Sequence, residues 1–338
     1  MPAGPRFERL DDWLDWQQQL HPATIELGLR RISSVLARTG WTRPRAPVIT
    51  VGGTNGKGSC VALLDAVLRA NGYRVATFTS PHLVDYRERI RVDGAMVSEA
   101  SLIASFERTA DALAPDSLTF FEFNTLAALL IFEPAVPDVI VLEVGLGGRL
   151  DSVNVVDPDV AVVVSIGLDH MDWLGPDLES IGREKAGIFR ARRPAVFGTP
   201  EPPRSVRERA HEIGARLQVR GTDFDGRAAG AAGWDFTVGD RVAWAALPLP
   251  SLPGPIQVAN AATALMALHQ LRDRLPLSRE AIVRGLRSAL LPGRFQRVPD
   301  ARGFEWVLDV AHNPAAATTL AVNLRALPVP GRTLAVCG

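Results

Sequence analysis

At 338 residues, with 47% apolar and 22% charged residues, the chain is long enough for about two globular domains with real cores. Its 37 basic and 37 acidic residues give a formal net charge of zero, which argues against a general nucleic-acid or anionic-membrane surface. No uninterrupted apolar run is long enough to span a bilayer, and Cys60 and Cys337 form no metal or disulfide spacing, so a reducing, cytoplasmic setting is expected.

Arg6–Gln19 mixes Asp11, Asp12 and Asp15 with Trp13, Leu14 and Trp16, the pattern of an amphipathic helix and not of a secretion signal. Pro47–Val51 reads as a buried strand that runs into a Gly-rich stretch. Ser59–Ala70 reads as a helix with Val61, Leu64, Val67 and Leu68 on one face, stopped by Asn71-Gly72. Strands are predicted over Val75–Thr79, Val139–Val144 and Val160–Ile166, with helices at Glu99–Leu113 and Phe123–Phe132. Almost wholly aliphatic strands alternating with helices predict an α/β fold with a mostly parallel sheet covered on both faces.

From about Pro194 the texture changes. Leu217–Arg220, Trp234–Val238 and Val242–Leu247 read as short strands, with a mobile loop expected over Ala228–Gly233. Helices are predicted over Val258–Leu271 and Arg279–Leu290, then a strand at Glu305–Val310, a helix at Ala315–Leu327 and a strand at Thr333–Cys337. One β-α-β unit cannot cover both faces of its own sheet. The expectation is therefore a first domain over residues 1–297 and a second, Rossmann-like domain over 298–338 that is incomplete, the chain being a truncated form.

Only two of the 37 basic residues are lysines, Lys57 and Lys185. Lys57 lies in Gly53-Thr54-Asn55-Gly56-Lys57-Gly58-Ser59, between the predicted strand and helix. Backbone N–H groups at a helix N-terminus bind phosphate, and glycines let the backbone approach closely, so the stretch reads as a phosphate-binding loop, with an ordinary Gly-rich βα turn as the alternative. The usual G-x-x-x-x-G-K-[ST] spacing fails, because Gly58 separates Lys57 from Ser59 and position 51 is Val. Three further segments follow strands, where open α/β sheets place their ligands: Thr79–Leu83, Glu143–Asp151 and Ser165–Asp172. A serine hydroxyl, a carboxylate and an imidazole or second carboxylate converging there suit Mg²⁺, which favours oxygen ligands. Glu143 stands out, because it ends the aliphatic run Val139–Leu142 and a buried Glu is rare unless paired or bound to a cation.

Together with Thr79-Ser80-Pro81-His82-Leu83, Gly145-Leu146-Gly147-Gly148-Arg149-Leu150-Asp151, Leu168-Asp169-His170, Gly182–Phe189, Leu291–Gln296 and Leu308–Pro314, the Gly loop resembles the bacterial dihydrofolate synthase/folylpolyglutamate synthase family of the Mur-ligase superfamily. The resemblance runs over nearly the whole chain in family order. It implies ATP phosphates on Gly53, Thr54, Asn55, Gly56, Lys57, Gly58 and Ser59, with Asn260, Arg294 and Asp309 also contacting the nucleotide. It implies two Mg²⁺ sites built from Ser80, Glu143, His170 and a CO₂-derived carbamate on Lys185, with Lys57, His170 and Lys185 serving catalysis. Pteroate is implied to contact Ile25, Glu26, Leu27, Gly28, Phe121, Leu150, Asp151 and Ser152, where the family commonly carries Asp in place of Glu26. The implied activity is ATP-dependent addition of L-glutamate to dihydropteroate and to reduced folates through an acyl phosphate, by a monomer without nucleic-acid or membrane partners. Glutamate ligation by the truncated chain is expected to be weak. Two other readings stand beside it: a different Mur-type ligase acting on a nucleotide-linked muramyl substrate, and a non-catalytic ATP-binding module.

Overall fold

The computed structural model describes residues 4–230, 233–327, 329 and 331–337. The N-terminal pair of helices, α1 (Leu10–Gln19) and α2 (Arg30–Arg38), precedes the first strand, β1 (Val48–Gly52). Helix α1 starts four residues later than its pattern predicts, because the Phe7 carbonyl accepts from Trp13 Nε1 at 2.9 Å and so leaves the helical path. From β1 the chain enters α3 (Lys57–Ala70), then β2 (Val75–Phe78) and the short hairpin β3 (Ile90–Val92) and β4 (Ala95–Met96). Helices α4 (Glu99–Asp111) and α5 (Phe120–Ala135) lead into β5 (Val139–Glu143). The start of α5 is fixed by a capping box in which Thr119 and Glu122 satisfy each other's backbone N–H.

After β6 (Val160–Val163) come the short α6 (Met171–Leu174), α7 (Leu178–Ala186), β7 (Pro194–Phe197), α8 (Arg204–Ile213) and β8 (Arg216–Val219). These strands form one eight-stranded sheet in the order β4-β3-β2-β5-β1-β6-β7-β8, parallel throughout except for the β3–β4 edge. Alternating residues feed two cores. Val48, Ile140 and Leu142 face the cluster with Trp13, Phe106 and Phe123, while Ile49, Val51, Val139 and Val141 face the cluster with Leu64, Val67 and Leu268. The mostly parallel α/β sheet covered on both faces is the expected fold.

The main sheet continues through Val219, past the change of texture at Pro194. The strand at Leu217–Arg220 belongs to its edge and not to a separate region. A second, three-stranded sheet follows: β9 (Phe224–Ala228), β10 (Gly233–Val238) and β11 (Arg241–Pro248). Ala228 and Gly233, expected in a mobile loop, are paired strand ends; Ala231 and Ala232 between them lie outside the described residues. This sheet packs on α9 (Ile256–His269) and α10 (Arg279–Ser288).

The C-terminal segment departs from the expected β-α-β unit. Strand β12 (Gln296–Pro299) pairs antiparallel with β13 (Glu305–Leu308), and α11 (Pro314–Ala326) follows. Thr333–Cys337, expected as a strand, has no regular structure: its apolar Leu334 and Val336 are exposed, and among the described residues no strand pairs with it.

Helix α3 is held by a close backbone approach. A Cβ on Gly285 of α10 would lie 2.5 Å from Val67 Cα, so only glycine permits this contact. Gly285→Ala is expected to cost roughly 1–3 kcal/mol by overpacking, measured as a lower urea midpoint.

Candidate active site

The loop after β1 turns through two residues with positive φ, Gly53 (143°) and Gly56 (84°). A Cβ on Gly56 would come 2.9 Å from Val164 Cγ1 and 3.0 Å from Asn260 Oδ1, so close packing also requires glycine there. The loop is stitched to the segment after β6. Thr54 N donates to Ser165 O at 2.8 Å, Asn55 N to Ser165 Oγ at 3.0 Å, and Gly167 N to Thr54 Oγ1 at 3.0 Å. Helix α3 has no side-chain cap, so its first N–H groups remain available to an anion.

Beside this loop is a cavity of about 140 Å³ lined by Lys57, Ser80, Glu143, Asp169, His170 and Lys185, among others. Both lysines donate to one carbonyl: Lys57 Nζ reaches Gly53 O at 3.0 Å and Lys185 Nζ reaches it at 3.1 Å. Lys57 Nζ also reaches Thr54 O at 3.3 Å. Burial lowers the Lys57 pKa, against the opposing charge of Glu143. Burial, reinforced by the charge of Lys57, pushes Lys185 down to about 7. Glu143 is only 4% exposed and accepts from Ser80 N at 3.1 Å; its burial raises its pKa against the pull of Lys57. His170 has φ 49° and an exposed side chain at the cavity rim.

Among the described residues no three His, Cys, Asp or Glu side chains meet as a complete metal-ligand set. The available donors are the Ser80 hydroxyl, the Glu143 carboxylate and the His170 imidazole. Such a partial set fits Mg²⁺, which keeps waters and takes substrate phosphates alongside one or two carboxylates.

A second cavity, about 260 Å³, is bounded by Asn55, Gly56, Ser59, Asn260, Arg294 and Asp309 among others. Thus the three nucleotide residues expected outside the loop do meet it. Asn260 Nδ2 donates to Gln257 Oε1 at 3.0 Å, and Asp309 accepts from the N–H groups of Phe295 and Ala311 at 2.8 Å each. A third cavity, about 450 Å³, runs from Ser80, Glu143 and Arg294 out to Asp65, Arg69 and Arg91. Gln257, Asp169 and His312 line these cavities and were not assigned roles from the sequence; Asp169 and His312 were visible only as parts of Leu168-Asp169-His170 and Leu308–Pro314.

The expected pteroate segments also come together. Gly28 N donates to Leu150 O at 3.2 Å, and Ile25 is 41% exposed beside that junction. Leu27 is half-buried in the same turn. Phe121 lies under Gly145, whose Cβ would be 2.6 Å from its ring. Glu26 is occupied by Arg31 and by His21 Nε2 at 2.9 Å, and those hydrogen bonds lower its pKa. Asp151 is 2% exposed and caps the loop, accepting from Leu146 N at 2.8 Å and Val153 N at 3.0 Å, and burial raises its pKa to about 6. Ser152 Oγ meets Thr125 Oγ1 at 2.5 Å.

Residues 51–268 match the Mur ligase middle domain and residues 293–338 the Mur ligase glutamate ligase domain. The dihydrofolate synthase/folylpolyglutamate synthase of Escherichia coli K12 is 49% identical over 97% of this chain and 76% of its own length. The structure of E. coli FolC in complex with DHPP and ADP matches with a TM-score of 0.90 over 97% of this chain and 77% of that one. A bifunctional folylpolyglutamate synthase/dihydrofolate synthase with Mn, AMPPNP and L-glutamate bound is 47% identical, with a TM-score of 0.86 over 96% and 76%.

The chain belongs to the dihydrofolate synthase/folylpolyglutamate synthase family.

Members of this family are ATP-dependent ligases of the Mur type, and the mostly parallel α/β fold expected from the sequence is theirs. No described helix is long and apolar enough to cross a membrane. In this family member, the buried Lys185 amine makes stability depend on pH. Its folded pKa of about 7 lies below the ordinary 10.5, so above pH 7 the unfolded chain binds a proton that the folded chain has released. Stability is therefore expected to rise with pH by on the order of 2 kcal/mol between about pH 7 and pH 9. Urea titrations in CO₂-free buffer check this; Lys185→Met should lack that increment.

Proposed function

We propose that this chain joins L-glutamate to dihydropteroate and to the glutamyl tail of reduced folates, using ATP. The observation that carries the reading is the convergence of Lys57, Lys185 and the buried Glu143 on one small cavity at the end of a phosphate loop. A carboxylate oxygen of the acceptor attacks the γ-phosphorus, the bond to the ADP oxygen breaks, and an acyl phosphate forms. The glutamate amine then attacks the acyl carbon, loses its proton, and expels phosphate.

Each residue's part follows from its position. The N–H groups of Gly56, Lys57, Gly58 and Ser59 hold phosphate oxygens at the start of α3. The Lys57 ammonium uses two donors on its own loop and has a third for phosphate. Arg294 supplies a second cation, near enough that its charge acts on both Lys57 and Glu143. Phosphoryl transfer needs mainly such positioning and charge neutralisation. Ser80, Glu143 and His170 would hold Mg²⁺, which neutralises phosphate charge when bound. A Lys185 amine with a pKa of about 7 is substantially unprotonated at neutral pH, as capture of CO₂ requires. The neutral nitrogen bonds to the carbon of CO₂ and releases one proton, converting an amine into a carboxylate ligand.

The nucleotide base and ribose occupy the cavity of Asn260, Arg294 and Asp309. Pteroate lies along Ile25–Gly28, Phe121 and Leu150–Ser152, with Asp151 and Ser152 shaping the loop from beneath. Residues 1–297 form the ATP- and pteroate-binding part and residue 298 onward the next domain. The enzyme acts in the cytoplasm as a monomer.

A ligation assay with ATP, Mg²⁺ and labelled glutamate tests the reading. Product and ADP are expected with dihydropteroate and with tetrahydrofolate; failure with both acceptors sinks it. Lys185→Arg preserves charge yet cannot be carbamylated, because a guanidinium stays protonated up to pKa ~12. It is expected to lower kcat by roughly 10²-fold, the scale of removing one electrostatic group from a transition-state site. Unchanged kcat in that variant, measured in the same assay, would sink the carbamate.

A further inference from the structure

Among the described residues, the C-terminal segment hydrogen-bonds to the phosphate loop through the side chain of Asn313. Its Nδ2 donates to Asn55 Oδ1 at 3.1 Å and to Asp169 Oδ2 at 2.9 Å. Its Oδ1 accepts from Asn55 Nδ2 at 3.2 Å and from Ala316 N at 2.9 Å, which caps α11. All four hydrogen-bonding positions of the carboxamide are used. Two independent partners fix which way round it sits: the Ala316 N–H needs the oxygen, and the Asp169 carboxylate needs the nitrogen.

The partners are themselves rigid. Asn55 is stitched to Ser165 through its own N–H and carbonyl, at 3.0 and 2.8 Å. Arg294 depends on the segment that Asn313 ends. Val310 N donates to Gly293 O at 3.1 Å and Phe295 N to Asp309 Oδ2 at 2.8 Å, so both chain neighbours of Arg294 are tied to residues 309–310.

We propose that Asn313 is a positioning residue whose carboxamide clasps the C-terminal segment to the phosphate loop and so sets Arg294 and Asp309 against the bound nucleotide. The proposal rests on the reading of this site as an ATP site. Asn313 does not itself line the nucleotide cavity; it acts through the segment it anchors.

Asn313→Asp is a near-isosteric probe. It keeps an oxygen for the Ala316 N–H but turns the Asp169 and Asn55 Oδ1 contacts from attractive to repulsive. Calorimetric titration with ATP and Mg²⁺ on the full chain is expected to show affinity lowered about tenfold or more, the scale of lost hydrogen bonds to a charged group. Pteroate affinity and the thermal midpoint should stay within error. The decisive measurement is the cycle with Arg294→Ala. Arg294 and Asn313 share no hydrogen bond, so independent effects would multiply. The clasp predicts that Arg294→Ala, which weakens ATP in the unaltered chain, costs less than about a third of that factor beside Asn313→Asp. Should Asn313→Asp fold poorly, Asn313→Ser keeps an oxygen to cap α11 but is too short to hold Asn55 and Asp169, and is expected to give the same shrinkage. ATP affinity indifferent to the Asn313 change, or factors that simply multiply, overturns the clasp alone. No ATP binding by the unaltered chain overturns the ligase reading and the clasp with it.

Discussion

Two buried lysine side chains share one acceptor, the carbonyl of Gly53, and the architecture around the site is arranged to let them do so. Lys57 arrives locally, from the first turn of α3. Lys185 arrives from α7, which must press against the loop after β5 to reach the carbonyl. Glycines permit that approach: a Cβ on Gly148 would sit 3.0 Å from the Glu184 carbonyl, and one on Gly187 only 2.3 Å from Arg149 Cβ. Burial and the charge of Lys57 both disfavour a second cation at Lys185, while the buried Glu143 opposes the loss of charge at Lys57. Lys57 and Glu143 each pull the other toward its charged form, against burial. Lys57 with Arg294 nearby would gain from a polyanion that enters, and this is the electrostatic reason a triphosphate would suit the proposed site.

Features set by local chain chemistry were legible in the sequence. The strand–Gly loop–helix was readable because glycine spacing, an aliphatic strand and an amphipathic helix agree over adjacent residues. Glu143 was readable because it breaks an aliphatic run at a strand end. The sharing of Gly53 O was not, since it joins residues 132 apart through packing that no local pattern encodes. The edge strands were poorly legible for a related reason. Strand β12 carries Gln296, Arg297 and Pro299 and is a strand only because β13 pairs with it. Thr333–Cys337 has the composition of a strand and lacks the partner. Strand β7, Pro-Ala-Val-Phe, is short, less aliphatic than the central strands and preceded by Arg190, Arg192 and Arg193, which obscured it as a continuation of the sheet.

The residues expected to touch pteroate illustrate a different limit. A motif marks positions whose identity is constrained, whether by ligand or by scaffold. Asp151 sits in such a motif, yet both its oxygens accept backbone N–H groups and the side chain is almost wholly buried. Glu26 has its carboxylate engaged by Arg31 and His21, and Arg31 also reaches Glu122 at 3.1 Å, in the capping box of α5. These side chains shape the walls, leaving exposed apolar surface such as Ile25 for an aromatic ligand.

The loop after β5 connects these two kinds of constraint. It starts from Glu143, the last residue of β5; two residues on, Gly145 rests on Phe121, and one further, Leu146 N is held by Asp151. The pteroate segments and the phosphate cavity are thus opposite sides of the same short stretch of backbone. An acceptor seated against Phe121 can place a carboxylate at the phosphate side only if Gly145–Gly148 stays thin, with no side chains interposed. Glycine at 145, 147 and 148 meets that need, while Asp151 keeps such a glycine-rich stretch from becoming loose. Burying a carboxylate to cap backbone N–H groups costs stability that the raised Asp151 pKa registers, and what it secures is a fixed, narrow partition between two reacting groups.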